Sequence, residues 1–277
     1  MEIKHEPVLL KEVVEALHIN NQGRYVDATL GAGGYSLEIL KRGGTVLGID
    51  ADPKMIAIAK ERLEKVPIVN ANFVDIDSIA RENGFENVDG IVFDLGISNI
   101  HFLSDDRGFS FSDKEAPLDM RLNPGTQAVK ASDLLNKLRD DQLRLMLGWN
   151  LAQEVIKVRS QKPFEKVGDL TALIGGTPLR RGYAGRRTHP ATKAFLALRM
   201  AVNSELENLR DALPKAYAVL KKGGRMVIVT FNSLEQKEVL AFRQGNLLTK
   251  KGVPPSPEEV KANPKSRRAL LNVIGKS

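Results

Sequence analysis

The stretch Arg24-Tyr25-Val26-Asp27-Ala28-Thr29-Leu30-Gly31-Ala32-Gly33-Gly34-Tyr35-Ser36 runs from a strand through a glycine-rich turn into a helix. Arg24 to Thr29 carries the strand, and the helix is expected from about Tyr35 to Arg42. A second apolar strand, Thr45 to Ile49, stops at Asp50, and Pro53 falls where a first-turn proline is tolerated. Met55, Ile56, Ala59 and Leu63 then form one helical face. Pro67 to Val74 reads as a third strand. Val88 to Leu95 is a near-continuous apolar run, as a central parallel strand covered on both faces requires. Alternation of this kind predicts a doubly wound α/β sheet.

Beyond this frame the pattern breaks. From about Ile100 to Pro190 the periodicity is helical (Ala131 to Leu138, Asp141 to Leu147, Leu151 to Val158, Val167 to Ile174) and no strand stands out. The α/β signal returns with one long helix, Thr192 to Leu220, the Gly223-Gly224 turn and the strand Arg225 to Phe231. The expected organisation is therefore an α/β domain made of residues 1–99 and 191–277, interrupted by a helical insertion at 100–190. The tail beyond Lys250, with Pro254, Pro255, Pro257 and Pro264, is expected to be extended. Trp149, the only tryptophan, is assigned to the core of the insertion rather than to a base-stacking platform.

Charge is unevenly spread along a chain of net charge +7. Thr177 to Arg199 holds six Lys or Arg and no acid, and Arg243 to Ser277 holds eight against Glu258 and Glu259. Focused positive charge suits a surface that meets phosphate, although two solvated basic loops would read the same way. There is no cysteine, so disulfides, zinc-thiolate sites and thiol nucleophiles drop out. The histidines His5, His18, His101 and His189 are scattered without metal-ligand spacing, and no metal is expected. No apolar run is long enough to span a membrane and the N-terminus has no signal-like core, which makes a cytoplasmic location the default.

A glycine-rich turn lets a ligand approach the backbone and aims helix N–H groups at it. Asp27 precedes the turn and Asp50 ends the next strand, where a carboxylate can accept hydrogen bonds from both ribose hydroxyls. That layout serves NAD and S-adenosylmethionine alike. Two details favour the methyl donor: the third glycine of a dinucleotide fingerprint would fall at Ser36, and Asp27 suits a cationic ligand better than a pyrophosphate. Phe73 is placed either against an adenine face or in the core.

Methylation of a pyrimidine carbon begins with a thiolate, which this chain lacks, so the acceptor should be nitrogen or oxygen. Direct displacement at a sulfonium methyl depends mostly on in-line placement. An exocyclic amine such as cytosine N4 needs acceptors that grip its protons. Asp94 at the end of the fourth strand is the first candidate, with Ser98, Asn99 and the Asn232-Ser233 turn behind it. A loop cap is the competing reading for Asp94.

Taken together, these motifs resemble the MraW/RsmH family. The likeness is carried by His5-Glu6-Pro7-Val8-Leu9-Leu10 with Glu12, by Asp27 to Ser36, and by Asp94-Leu95-Gly96-Ile97-Ser98. It continues through Arg107-Gly108-Phe109-Ser110-Phe111, Pro117-Leu118-Asp119-Met120-Arg121 and His189-Pro190-Ala191-Thr192. Phe195 to Arg199, Val202 to Leu206, Thr230 to Glu235 and Asn263-Pro264 with Arg267-Arg268 complete it.

The resemblance implies a Rossmann-like, S-adenosylmethionine-dependent methyltransferase with a helical substrate-recognition insertion. Its target would be N4 of a cytosine in the decoding region of 16S rRNA, within the small ribosomal subunit, and its product S-adenosylhomocysteine. By that resemblance Gly33, Gly34, Tyr35, Asp50, Phe73, Asp94 and His101 would line the cofactor, joined by Asp27 and Gly31 from the reading of the turn. Asp94, Ser98 and Asn232 would serve catalysis. Arg107, Arg121, Arg186, Arg187, His189, Arg199, Arg267 and Arg268 would meet RNA. A homodimer is left open.

Departures from the family pattern lie at Tyr35 (usually His), His101 (usually Gln), Trp149-Asn150 (an acidic pair), Asn232 (His) and Gln236-Lys237 (Asp-Arg), with a shortened segment between Phe242 and Thr249. Two rival readings follow: a methyltransferase acting on another RNA nitrogen or a ribose oxygen, and a subunit-assembly binder with weak or lost catalysis.

Overall fold

Strand and helix alternate through the first hundred residues as the apolar spacing demands. The computed structural model describes residues 7–103, 106–176 and 191–277. Helix α1 (Leu10–Leu17) leads into β1 (Arg24–Asp27), α2 (Gly34–Lys41), β2 (Thr45–Asp50) and α3 (Pro53–Arg62). Asp52 caps α3, its carboxylate accepting the Lys54 N–H at 2.8 Å, with Pro53 in the first turn. Then follow β3 (Ile68–Asn70), α4 (Ile76–Glu82) and β4 (Val88–Asp94). The third strand is shorter than its apolar run suggests. The Asn72 side chain accepts the Val74 N–H at 3.0 Å and turns Phe73–Asp75 into one 3₁₀ turn.

A helical segment comes next, with α5 (Asn99–Leu103), α6 (Ala131–Lys137), α7 (Asp140–Leu147), α8 (Trp149–Arg159), α9 (Val167–Gly176) and α10 (Ala191–Val202). The chain returns to the sheet through α11 (Glu205–Val219), β5 (Leu220–Thr230), α12 (Ser233–Ala241), β6 (Asn246–Leu247), α13 (Pro257–Ala262) and β7 (Leu270–Gly275). The helix expected to run unbroken from Thr192 to Leu220 is two helices. Ser204 takes a left-handed φ of 48°, and the Asn203 amide donates to the Met120 and Arg199 carbonyls at 2.9 and 2.8 Å.

The chain divides into two compact units, Met1–Ile97 with Leu206–Ser277, and Ser98–Glu205. Helix α10 was assigned by sequence to the α/β part; it packs on α6 and α7 and falls in the second unit. Trp149 was assigned to the core of the insertion and is 64% exposed. Leu118, Leu135, Leu143, Val155, Phe164 and Leu170 build the buried interior there.

In the first unit seven strands pair in the order β3-β2-β1-β4-β5-β7-β6. The pairings from β3 to β5 are parallel, and β7 runs antiparallel to both β5 and β6. This is a Rossmann-like sheet closed by an antiparallel edge. Alternate residues feed opposite faces, as strand geometry requires. Ile91, Phe93, Met226 and Ile228 join one cluster with Ile76, Leu209 and Leu213, while Val92, Val227 and Val229 join another with Val13, Leu17 and Ile39. The tail read as extended supplies β7, whose Leu271, Val273 and Ile274 are buried. No helix among the described residues is long and apolar enough to cross a membrane.

Candidate active site

In a doubly wound sheet the ligand crevice opens at the carboxyl ends of the strands, where the strand order reverses. Here that point lies between β1 and β4, which end in Asp27 and Asp94. Asp27 is fully buried. One of its oxygens, Oδ2, accepts the Ser36 hydroxyl at 2.7 Å, and the other, Oδ1, has no hydrogen-bond partner among the described residues. Burial pushes the Asp27 carboxyl up to about 6; its bonds from Ser36 and the Thr29 backbone oppose the rise, and the Asp50 charge adds to it.

The turn between β1 and α2 is held from several sides. The Gly31 N–H donates to Asp50 Oδ2 at 2.7 Å, the Asp52 N–H donates to Asp50 Oδ1 at 2.8 Å, and Arg62 Nη1 donates to the Ala32 carbonyl at 2.7 Å. Gly33 sits at φ 79°, a conformation that favours glycine, and a Cβ on Gly34 would lie 2.2 Å from Pro7 Cγ. The Tyr35 hydroxyl donates to the Val8 carbonyl, so the segment at Pro7–Leu9 covers this turn. Burial, with the Asp94 and Asp27 charges beside it, holds the Tyr35 hydroxyl well above the usual tyrosine range.

Asp94 is half-buried, and its backbone N–H donates to Thr29 Oγ1 at 2.6 Å. Its Oδ1 is a second buried oxygen without a hydrogen-bond partner among the described residues. Burial and the Asp27 charge push the Asp94 carboxyl up to about 8; the Tyr35 hydroxyl pulls it back and Glu235 adds to the rise. Two carboxyls at the ends of neighbouring strands thus each keep a buried acceptor without a hydrogen-bond partner among the described residues. Phe73 lies half-buried, edge-on to Phe93 at 5.6 Å.

Asn232 does a different task from the one expected. Its Oδ1 accepts the Leu234 and Glu235 N–H groups at 3.0 Å, and its amide donates to Glu235 Oε1, closing a capping box on α12. Glu235 is the residue that sequence reading overlooked. It is buried, accepts the Phe231 N–H at 2.7 Å, and fixes the turn after β5. The Asn-x-x-Glu spacing was the available signal. Phe231 in turn stands beside Gly96, where a Cβ would meet its ring at 3.6 Å.

Ser98 and His101 belong to the second unit. The Ser98 carbonyl accepts the His101 N–H at 3.0 Å, and the His101 ring is buried edge-on to Phe109 at 5.2 Å. Three arginines expected to face RNA are internal ties of that unit. Arg107 is buried and donates to the Leu122 carbonyl at 2.8 Å. Arg121 grips Asp119 through two bonds of 2.7 Å, and Arg199 grips Glu205 at 2.7 and 2.8 Å. Their partners lie close along the chain or in the same fold element, which charge counting cannot see. Arg267 and Arg268 are exposed, while His5, Arg186, Arg187 and His189 lie outside the described residues. Among the described residues no group of three His, Asp or Glu side chains could hold a metal.

The sequence profile of the MraW methylase family matches residues 2–277. Ribosomal RNA small subunit methyltransferase H of Coprothermobacter proteolyticus is 40% identical over 295 residues, covering 99% of this chain and 96% of that protein. The protein of the same description from Dictyoglomus thermophilum is 39% identical over 289 residues, covering 97% and 95%.

Proposed function

The chain belongs to the MraW methylase family, and on that premise we propose that it methylates the exocyclic N4 of a cytosine in the decoding region of 16S rRNA, with S-adenosylmethionine as donor. The observation that carries the reading is the pair of buried acceptors, Asp27 Oδ1 and Asp94 Oδ1, on neighbouring strand ends beside the glycine turn. A buried acceptor without a partner is costly unless a ligand completes it. A cationic ligand that brings its own hydrogen-bond donors fits such a crevice, whereas a pyrophosphate would meet two carboxyls of its own sign.

Asp50 would hold the ribose hydroxyls, Asp27 the ammonium end, Phe73 the adenine, and Tyr35 with the Gly31–Gly34 backbone the body of the donor. When bound, the donor supplies a methyl group on a positively charged sulfur, open to direct displacement. Asp94 then acts on the amine. As a carboxylate it accepts a hydrogen bond from N4 and draws the nitrogen lone pair out of the ring. As the N–C bond forms and the C–S pair returns to sulfur, Asp94 takes the proton that the nitrogen sheds. The substrate form would be the small ribosomal subunit, met in the cytoplasm.

The deciding experiment adds a donor carrying a labelled methyl group to small subunits that lack the modification, followed by nucleoside mass spectrometry. N4-methylcytidine in the decoding region is the expected product. Label in adenine or on a ribose would replace the cytosine assignment. Subunit binding without incorporation would leave an assembly factor.

A further inference from the structure

At the junction of α7 and α8 the second unit presents an exposed aromatic and cationic side-chain arrangement. Trp149 opens α8 and is 64% exposed, and Leu145 on α7 is 90% exposed. The Arg144 guanidinium lies over the indole, 4.5 Å from the ring centroid. Gln153 holds it by its edge. With its amide turned to satisfy both groups, the Gln153 oxygen accepts from Arg144 Nε and Nη2, each at 2.9 Å.

The charges around this cluster decide what it suits. The two acids of α7 are taken by other arginines: Asp140 by Arg159 at 2.9 Å, and Asp141 by Arg139 in a two-pronged pair at 3.1 Å. Arg144 is thus anchored by an aromatic face and a neutral amide, and no carboxylate among the described residues offsets it. Fixing an arginine and a tryptophan in one exposed geometry costs side-chain entropy that a bare surface has no reason to lose.

From this geometry we infer that Arg144 and Trp149 form a stacking platform for an unpaired nucleotide of an RNA. Trp149 takes the base, and the guanidinium takes its phosphate. Exposed indole and arginine are the chemistry that single strands are held by, because every base offers a π-face and every phosphate a charge. A protein partner would also cover Leu145, but it would leave the pre-set cation without a counter-charge. The inference rests on the reading that this chain acts on RNA and names where in the second unit one nucleotide is held.

Trp149 is the only tryptophan of the chain, so its emission reports this site alone. Titrating the full-length protein with an unlabelled single-stranded oligoribonucleotide should quench Trp149 saturably. The midpoint should match that of labelled oligonucleotide anisotropy. Arg144→Gln and Trp149→Ala should each weaken RNA affinity by about tenfold, with affinity for S-adenosylhomocysteine unchanged by calorimetry. Trp149→Phe should restore most of the loss. RNA that binds, and is methylated, without altering Trp149 emission would overturn the platform and leave the methylation reading intact. Emission that changes with protein concentration alone would assign the patch to a second copy and overturn it too. A wild-type protein that binds no RNA at all would remove both readings together.

Discussion

Asp27 and Asp94, at the strand ends of the first unit, each keep a buried oxygen without a partner, whereas Asp119 in the second unit has both oxygens taken by Arg121. Burial acts on all three, yet the outcomes oppose each other. Asp27 and Asp94 are pushed up to about 6 and 8, while burial at Asp119 is outweighed by the bonds and charge of Arg121, which hold it below the usual carboxylate range. A charge that is matched inside the fold is scaffold. One that is left unmatched at a strand end is an acceptor that a bound ligand can complete. By the same rule, Arg121 and Arg199, each paired with a carboxylate, shape the second unit, whereas Arg144 is the guanidinium proposed above to take a ligand.

The strongest challenge to this contrast is Asp94→Asn. The amide keeps the shape and loses the ability to take a proton, so single-turnover methylation should fall by about 10²- to 10⁴-fold, with little change in affinity for S-adenosylhomocysteine. An unaltered single-turnover rate would take Asp94 out of the chemistry. The matching change in the second unit is Arg121→Ala. It strands Asp119 and frees the Gln127 and Pro124 carbonyls, and should cost about 3 kcal/mol in denaturant unfolding. If it instead altered the salt dependence of RNA binding and left stability alone, Arg121 would return to the RNA-facing set.

The two kinds of acid also predict opposite pH windows. A carboxyl whose folded pKa is raised binds its proton more tightly folded than unfolded, so its contribution is present at low pH and lost as pH rises. Asp27 should therefore lower stability progressively between its unfolded value near 4 and about 6, by roughly 2 to 3 kcal/mol. Asp94 extends the loss toward pH 8. Asp119 does the reverse and loses its contribution only as pH falls below the ordinary carboxylate range. Unfolding of wild type and Asp27→Asn across pH 4 to 7 tests the sign: the variant should flatten the decline. The same protons must leave when a cation binds, so affinity for the methyl donor should tighten over this window. A donor affinity that weakens with rising pH would contradict the assignment of Asp27 to the ammonium end.

How far such contrasts can be read from sequence depends on whether the deciding partner is local. The β1–turn–α2 stretch was legible because glycines and a period-2 apolar run are written in adjacent residues. So were α6 to α9, whose helical spacing agrees with the observed elements. Strand β7 was not legible. Its run is interrupted by Asn272, which is acceptable only because Gln236, 36 residues away, exchanges hydrogen bonds with it at 2.9 and 3.0 Å. The break after α10 was hidden for a similar reason, since Asn203 makes its bond to Met120 across 83 positions. Asp27, Asp50 and Asp94 end β1, β2 and β4 as expected, because strand ends are predictable. Asn232 was read as an acceptor because its composition was visible and its engagement with Glu235 was not. Arginines behave likewise: sequence counts their charge and says nothing of which carboxylate answers it.

The smallest effect, and the finest division of that rule, concerns Arg267 and Arg268, exposed in the 3₁₀ turn Pro264–Arg268 of the first unit. Just before them Ser266 is buried, its hydroxyl donating to the Asn263 carbonyl at 2.8 Å, which helps to hold the turn. If they meet phosphate, replacing both by alanine should weaken RNA binding only a few-fold. The slope of log affinity against log salt should fall by about 0.7 for each single-strand phosphate that is no longer neutralised. Arg199→Ala is the control, because its bidentate grip on Glu205 predicts the opposite pattern of lost stability with an unchanged slope. Should the double variant show an unchanged slope as well, the basic tail is a solvated surface. The RNA would then have to be held by charges elsewhere, with Arg144 the first to measure.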